Sequence, residues 1–182
     1  MTDQIIAIIP IGEVSVPILR YIAEVIEQRF NITARIELNY KIPDGMPDPV
    51  YSRINSSKVL SCITDNIGEN IYKVLTVTEF DLYSPIFSRF FGEAQLQGKC
   101  AIVSICRLRQ EYYNLRSDEK IFLARCKKVV IHEMAHMFGL RHCNDSNCVM
   151  YSSNSIADTD IKSDLLCPSC EKLLKELMLA SK

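Results

Sequence analysis

The three histidines of this chain all fall inside one short stretch, His132-Glu133-Met134-Ala135-His136-Met137-Phe138-Gly139-Leu140-Arg141-His142. That clustering constrains the fold more than any other feature. Residues four apart share a helix face, so His132 and His136 can offer their rings to one metal ion from consecutive turns, with Glu133 projecting beside them. Gly139, lacking a Cβ, can take the left-handed conformation that ends a helix and lets the chain swing back to deliver His142 to the same point. Three imidazoles leave one position open on a tetrahedral zinc, which distinguishes a reactive site from a closed structural one. A lone HExxH pair arises in unrelated helices, but a core with hydrogen-bonded histidines has no reason to set all three at these spacings.

The pattern HExxHxxGxxH resembles the metzincin clan of zinc peptidases, in which a methionine-containing turn follows the third histidine. Met150, eight residues after His142, stands where that turn is expected, although taken alone a methionine is more simply a filler of core gaps. The cysteines narrow the resemblance. Cys143 and Cys148 precede Met150, and Cys167-Pro168-Ser169-Cys170 follows it, giving two close thiol pairs of the kind that closes a structural zinc site. From Ile131 to Cys170 the arrangement resembles the archaemetzincins; the N-terminal part agrees only in its general succession of strands and helices.

This resemblance implies an α/β (α+β) fold of the metzincin-like zincin type, with a twisted mixed sheet, an active-site helix and a small C-terminal subdomain. It implies one catalytic domain over residues 1–182, divided into an N-terminal subdomain (1–142) and a C-terminal one (143–182) with the methionine turn and the four cysteines. Two Zn2+ ions are expected, a catalytic one on His132, His136 and His142 and a structural one on Cys143, Cys148, Cys167 and Cys170. Glu133 is expected to act as general base on a zinc-bound water that attacks a peptide or protein substrate. Neighbouring side chains in an extended segment point to opposite sides, so His142 and Cys143 can each face a different metal. Some metzincins place a tyrosine near the methionine turn, but the spacing of Tyr151 departs from theirs and its default role is a wall of the site.

Other readings of the same residues remain open at this point. Cys-Pro-x-Cys at a helix start also builds thioredoxin-like redox sites, though those follow a buried strand, whereas the polar segment from Asp158 to Asp164 precedes this one. Two disulfides would require an oxidising compartment. A zinc-stabilised peptide-binding or regulatory protein with little turnover is the main alternative to an enzyme, and the presence of Glu133 favours the enzyme, because binding alone needs no base.

Composition adds exclusions. The 182 residues carry a formal net charge of −1, with no run of lysine or arginine and no interleaving of aromatic with basic residues, so no nucleic-acid partner is expected. No apolar stretch approaches the ~20 residues that span a bilayer, and the first ten residues lack the basic start of a secretory signal. A cytoplasmic location is therefore expected, with the remaining cysteines, Cys62, Cys100, Cys106 and Cys126, as buried thiols. A monomer is the default.

Along the chain, Ile5 to Ile11 reads as a central strand, Ser15 and Pro17 open a helix to Phe30, and Asn31 to Leu38 alternates as a strand, suggesting a parallel crossover. The prolines of residues 41–49 mark a loop, residues 51–67 a second helix, and Ile71 to Thr78 a strand. Glu79 and Asp81 offer too few oxygens for a calcium site. Ile86 to Phe91 and Cys100 to Leu108 read as strands, with residues 87–91 the candidate edge to which an extended substrate could add. Ser117-Asp118-Glu119 has the form of a capped start to the histidine-bearing helix, which would bury Ile121, Val129 and Met137. A final amphipathic helix carries Leu173, Leu174, Leu177 and Met178 on one side.

Overall fold

Strand β1 (Ile5–Ile11) is apolar at nearly every position because both of its faces are covered. The structure, a computed structural model, describes residues 4–38, 46–48, 52–68, 70–84 and 90–180. Ile6 and Ile8 pack with Leu19, Ile22 and Ile26 of helix α1 (Val16–Phe30), whereas Ala7, Ile9 and Ile11 pack with Val59, Leu60 and Ile63 of helix α2 (Ser56–Asn66). Pro17 lies in the first turn of α1, and Asn31 ends it with φ of 53°, so the next strand, β2, begins only at Thr33 and runs to Ile36. β1 and β2 are parallel, with Ile5 opposite Thr33.

On its other side β1 pairs in parallel with β5 (Lys73–Thr78), which pairs in parallel with β8 (Cys100–Ser104). A short antiparallel strand, β7 (Gly92–Ala94), closes the five-stranded order β2-β1-β5-β8-β7. A second sheet joins β3 (Pro47–Asp48), β4 (Arg53–Asn55) and β6 (Asp81–Tyr83). It has no counterpart in the sequence expectations. The helix expected over residues 51–67 starts later, at Ser56, because Asn55 caps it by accepting from the Lys58 backbone N–H at 3.0 Å. The strand expected over Cys100 to Leu108 ends at Ser104 and continues as two short 3-10 turns, Cys106–Leu108 and Gln110–Tyr113.

Helix α3 (Glu119–Met137) lies on the α1 side of the sheet, capped by Asp118, whose carboxylate accepts from the Ile121 N–H at 3.1 Å. Val129 and Met137 are buried as expected, while Ile121 is only half-buried. Its C-terminus is fixed in two ways. Gly139 has φ of 106°, and the N–H groups of Gly139 and Leu140 return to the carbonyls of His136 (2.9 Å) and Ala135 (3.1 Å), the paired bonds of a Schellman turn. In addition the buried ammonium of Lys73, at the start of β5, donates to the carbonyls of Met137 and Gly98, both at 2.9 Å, and lies over the Phe138 ring.

Past the turn the chain forms α4 (Ile156–Ile161) and α5 (Pro168–Ala180). Arg125 of α3 donates to both carboxylate oxygens of Asp160 (2.7 and 2.6 Å), and Lys128 to the carbonyls of Thr159 and Asp160, so α4 is tied to the histidine-bearing helix. In α5 Leu174 is buried and Leu177 and Met178 pack against the core, but Leu173 is 45 % exposed and does not join them. Glu79 and Asp81 are committed to Arg109 (2.7 Å) and Arg107 (2.5 Å), so neither is available to a cation. Of the four remaining cysteines only Cys100 and Cys126 are buried; Cys62 and Cys106 are half-buried.

Candidate active site

Helical spacing and the Schellman turn together bring the three histidines to one point. Their ligating nitrogens lie within 4.8 Å of one another, with the Nε2 atoms of His132 and His136 3.1 Å apart. The backbone sets the ring tautomers. His132 Nδ1 is 2.8 Å from the carbonyl of Val149 and His136 Nδ1 is 2.7 Å from that of Leu140. Carbonyls only accept, so each Nδ1 carries the hydrogen and each Nε2 lone pair faces the cluster. Burial lowers the proton affinity of all three rings, keeping them in the neutral form a metal needs. Two Zn–N bonds of about 2.0–2.1 Å at a tetrahedral angle put their nitrogens roughly 3.3 Å apart, close to the spacing here.

The four sulfurs of Cys143, Cys148, Cys167 and Cys170 form a second cluster, also within 4.8 Å of one another, and all eight cysteines are free thiols. Cys143 and Cys167 Sγ are 3.8 Å apart, which is about the edge of a tetrahedron with 2.3 Å Zn–S bonds. Backbone N–H groups of Asp145 and Cys167 donate to Cys143 and Cys148 sulfur at 3.5 and 3.3 Å. His142 and Cys143 fall in different clusters, as their adjacency in the sequence led us to expect. The clusters share a backbone: Cys143 N–H donates to the Met150 carbonyl at 3.0 Å, and Val149, one residue earlier, holds His132. Met150 itself is fully buried in the main core.

Glu133 is 6 % exposed and reaches the same cleft, where an ideal Cβ built on Gly92 would fall 2.6 Å from Glu133 Cγ. Glycine in the edge strand thus makes room for the carboxylate. Burial pushes Glu133 up to about 8, against the pull of the Lys162 ammonium, and Glu93 adds to the rise. Lys162, itself 3 % exposed, is drawn down to about 8 by burial, with Glu133 opposing. A cavity of about 670 Å³ runs over these residues, lined on one side by Phe91, Gly92, Glu93 and Ala94 and on the other by Ser152, Ser153 and Asn154. Tyr151 does not line it.

The edge expected at residues 87–91 lies mostly outside the described residues; the edge strand that is described, β7, starts at Gly92. Ser104 N–H donates to Phe91 O and Gln95 N–H to Cys100 O, so in the antiparallel alternation Phe91, Glu93 and Gln95 face β8. The N–H and C=O groups of Gly92 and Ala94 therefore face away from the sheet, along the cleft. Gly92 and Lys162 escaped the sequence reading. An Asp-Ile-Lys-Ser-Asp run signals only a polar turn, and a glycine beside two phenylalanines carries no mark of what it lies against.

The model of peptidase family M54 matches residues 48–176. This chain belongs to peptidase family M54. The peptidase is 34 % identical over 185 residues to the archaemetzincin of Thermococcus kodakarensis, covering 96 % of this chain and 97 % of that one. It is 35 % identical over 177 residues to the archaemetzincin of Methanocaldococcus jannaschii, covering 94 % and 93 %. The crystal structure of the archaemetzincin of Methanopyrus kandleri superposes with a TM-score of 0.82 at 28 % identity over 98 % of this chain and 97 % of that chain. That of Archaeoglobus fulgidus, complexed with malonate, gives 0.78 at 28 % identity over 93 % and 99 %. The mixed α/β fold is thus that of the archaemetzincins, and the peptidase is a hydrolase of a zinc metallopeptidase family that acts on peptides.

Proposed function

We propose that the peptidase cuts peptide bonds at the histidine cluster, with His132, His136 and His142 holding a catalytic zinc and Cys143, Cys148, Cys167 and Cys170 holding a structural one. What carries this reading is the convergence of three histidine nitrogens, two of them Nε2 lone pairs fixed by the backbone, and one buried carboxylate in a single cleft beside a sheet edge. When bound there, zinc supplies a Lewis acid that polarises the scissile carbonyl and lowers the pKa of water toward about 7. An extended substrate adds to the outer edge of β7 through the main-chain groups of Gly92 and Ala94, which aligns it over the histidines. Glu133 takes a proton from the attacking water and delivers it to the departing amine. Burial raises its proton affinity, which makes the ionised carboxylate a stronger base toward that water.

The chain acts on this reading as one catalytic domain over residues 1–182, with the division between 142 and 143 falling where the two clusters meet. The cysteine cluster fixes the turn that delivers His142 and holds Val149 against His132. Eight cysteines without a disulfide agree with a reducing, cytoplasmic setting, and no described helix is long and apolar enough to cross a membrane. Glu133→Gln tests the central step: zinc content should be unchanged, while cleavage of a peptide library falls by about 10²–10⁴-fold. A metal-replete variant with wild-type turnover would remove Glu133 from its role. A wild-type protein with both metals and no turnover would instead favour the binding-protein alternative.

A further inference from the structure

Lys162 is a buried cation that no described carboxylate contacts; Glu133, buried in the same cleft, acts on it only at a distance. The residue is 3 % exposed, and lysines at that depth are ordinarily paired. Its Nζ donates to the carbonyl of Tyr151 at 3.0 Å and sits 3.4 Å from His132 Nδ1. The second contact is not a hydrogen bond, because Nδ1 already spends its hydrogen on Val149 and has no lone pair to offer. Among the described residues no carboxylate lies in ion-pair contact with the ammonium.

Two further polar groups near it are orphaned. Thr159, three residues earlier in the chain, is fully buried, and its Oγ1 has no hydrogen-bond partner; the same is true of the buried Oγ of Ser153. Lys162, Thr159 and Ser153 all line the cleft that contains His132 and Glu133. The other acidic residue lining it, Glu93, accepts from the hydroxyls of Ser56 and Ser57. One ammonium that no described carboxylate contacts and two hydroxyls without partners, all lining one cleft, form the donor set for a carboxylate brought by a ligand.

We infer that this recess is the specificity pocket of the peptidase and that it takes a carboxylate from the substrate residue that follows the scissile bond. The inference rests on the hydrolytic reading above, through one step: Glu133 must reach the departing amine, so the part of the cleft where Lys162 and Glu133 act on one another receives the residue to which that amine belongs. The carboxylate has two possible sources. It is either an aspartate or glutamate side chain at that position or the free C-terminus of a substrate that ends there. In both cases the hydroxyls gain partners, and the ammonium a contacting anion, that they lack in the free protein.

The test uses quenched fluorescent peptides differing only at the residue after the cleaved bond, Glu against Gln, with amidated C-termini, and a second pair ending at that residue with a free or amidated terminus. The zinc-loaded wild type should cleave one charged member over its neutral partner by about tenfold or more in kcat/KM. A ratio in the first pair identifies a side chain, and in the second a chain terminus. Lys162→Met should bring that ratio to about 1 even if overall turnover falls, and Thr159→Val should lower it part-way. A structural role alone would scale both members equally and leave the ratio untouched. If Lys162→Met does not fold, Thr159→Val and Ser153→Ala decide. Equal cleavage of charged and neutral peptides by the wild type, or a ratio that survives in the variants, overturns the inference. If no peptide is cleaved, the hydrolytic reading has failed, and anisotropy of the same peptides, dye-labelled, with zinc-loaded Glu133→Gln protein decides the pocket. Tighter charged-peptide binding that Lys162→Met abolishes keeps it, and equal binding discards it.

Discussion

Replacing Gly92 by alanine should disable the enzyme from the opposite wall of the cleft, without touching a metal ligand. The added Cβ would lie 2.6 Å from Glu133 Cγ, 2.7 Å from Cδ and 2.8 Å from Oε1. Ordinary carbon contacts need about 3.5–4.0 Å, so either the carboxylate or the strand must give way by about 1 Å. Glu133 is hemmed in, being 6 % exposed, so the displacement moves it out of line with the attacking water or moves the edge that seats the substrate. Either shift is in the range where about 1 Å costs about 10²-fold in rate, equivalent to about 2.7 kcal/mol in the barrier. Stability should change by no more than about 1 kcal/mol, because β7 is a three-residue edge strand that can relax outward. The assay is kcat/KM on a cleaved peptide, with zinc content and melting temperature measured on the same sample. Activity within about threefold of wild type in a zinc-replete Gly92→Ala protein would show that the carboxylate does not need the space this glycine provides.

Other perturbations have equally definite outcomes. Cys167→Ser should lose one zinc and several kcal/mol of stability, since structural zinc binding is coupled to folding, and a normal melting temperature with full zinc would refute the cysteine assignment. Lys73→Met should destabilise by about 1–3 kcal/mol, because the carbonyls of Met137 and Gly98 lose their buried donor. Burial draws Lys73 down to about 8 from 10.5, so between those pH values the unfolded chain binds more protons and this group's contribution to stability rises with pH. Urea midpoints at pH 7 and 10 should show that rise in the wild type and a smaller one in Lys73→Met. Tyr151→Phe should keep kcat within about twofold, since the ring does not line the cleft and Lys162 is held by the Tyr151 carbonyl, which the substitution leaves in place.

The histidine and cysteine clusters were both legible because each is written in local spacing. Helical periodicity set His132 and His136 together, Gly139 had to turn the chain, and adjacency sent His142 and Cys143 to different clusters. The central strands and α1 were legible for a similar reason, since burial on both faces leaves a continuous apolar run in β1 and β5. The second sheet was not, because β3, β4 and β6 are only two or three residues long, too short for an alternating pattern, and β6 joins β4 from a distant part of the chain. Gly92, Lys73 and Lys162 were invisible for the same physical reason. Their roles come from contacts between separate elements, such as Lys73 to Gly98 and Met137 or Lys162 to Tyr151, or from a close approach to Glu133 that no local pattern encodes.

The central claim is that two zinc ions are bound at separable sites and that only the histidine site hydrolyses peptides. Counting zinc per chain by elemental analysis in the wild type, His136→Ala and Cys167→Ser, with peptide cleavage on the same samples, tests it most directly. The account predicts two, one and one, with cleavage by the wild type and a folded, inactive His136→Ala protein. Two zincs retained in His136→Ala, or undiminished cleavage by that variant, would contradict it.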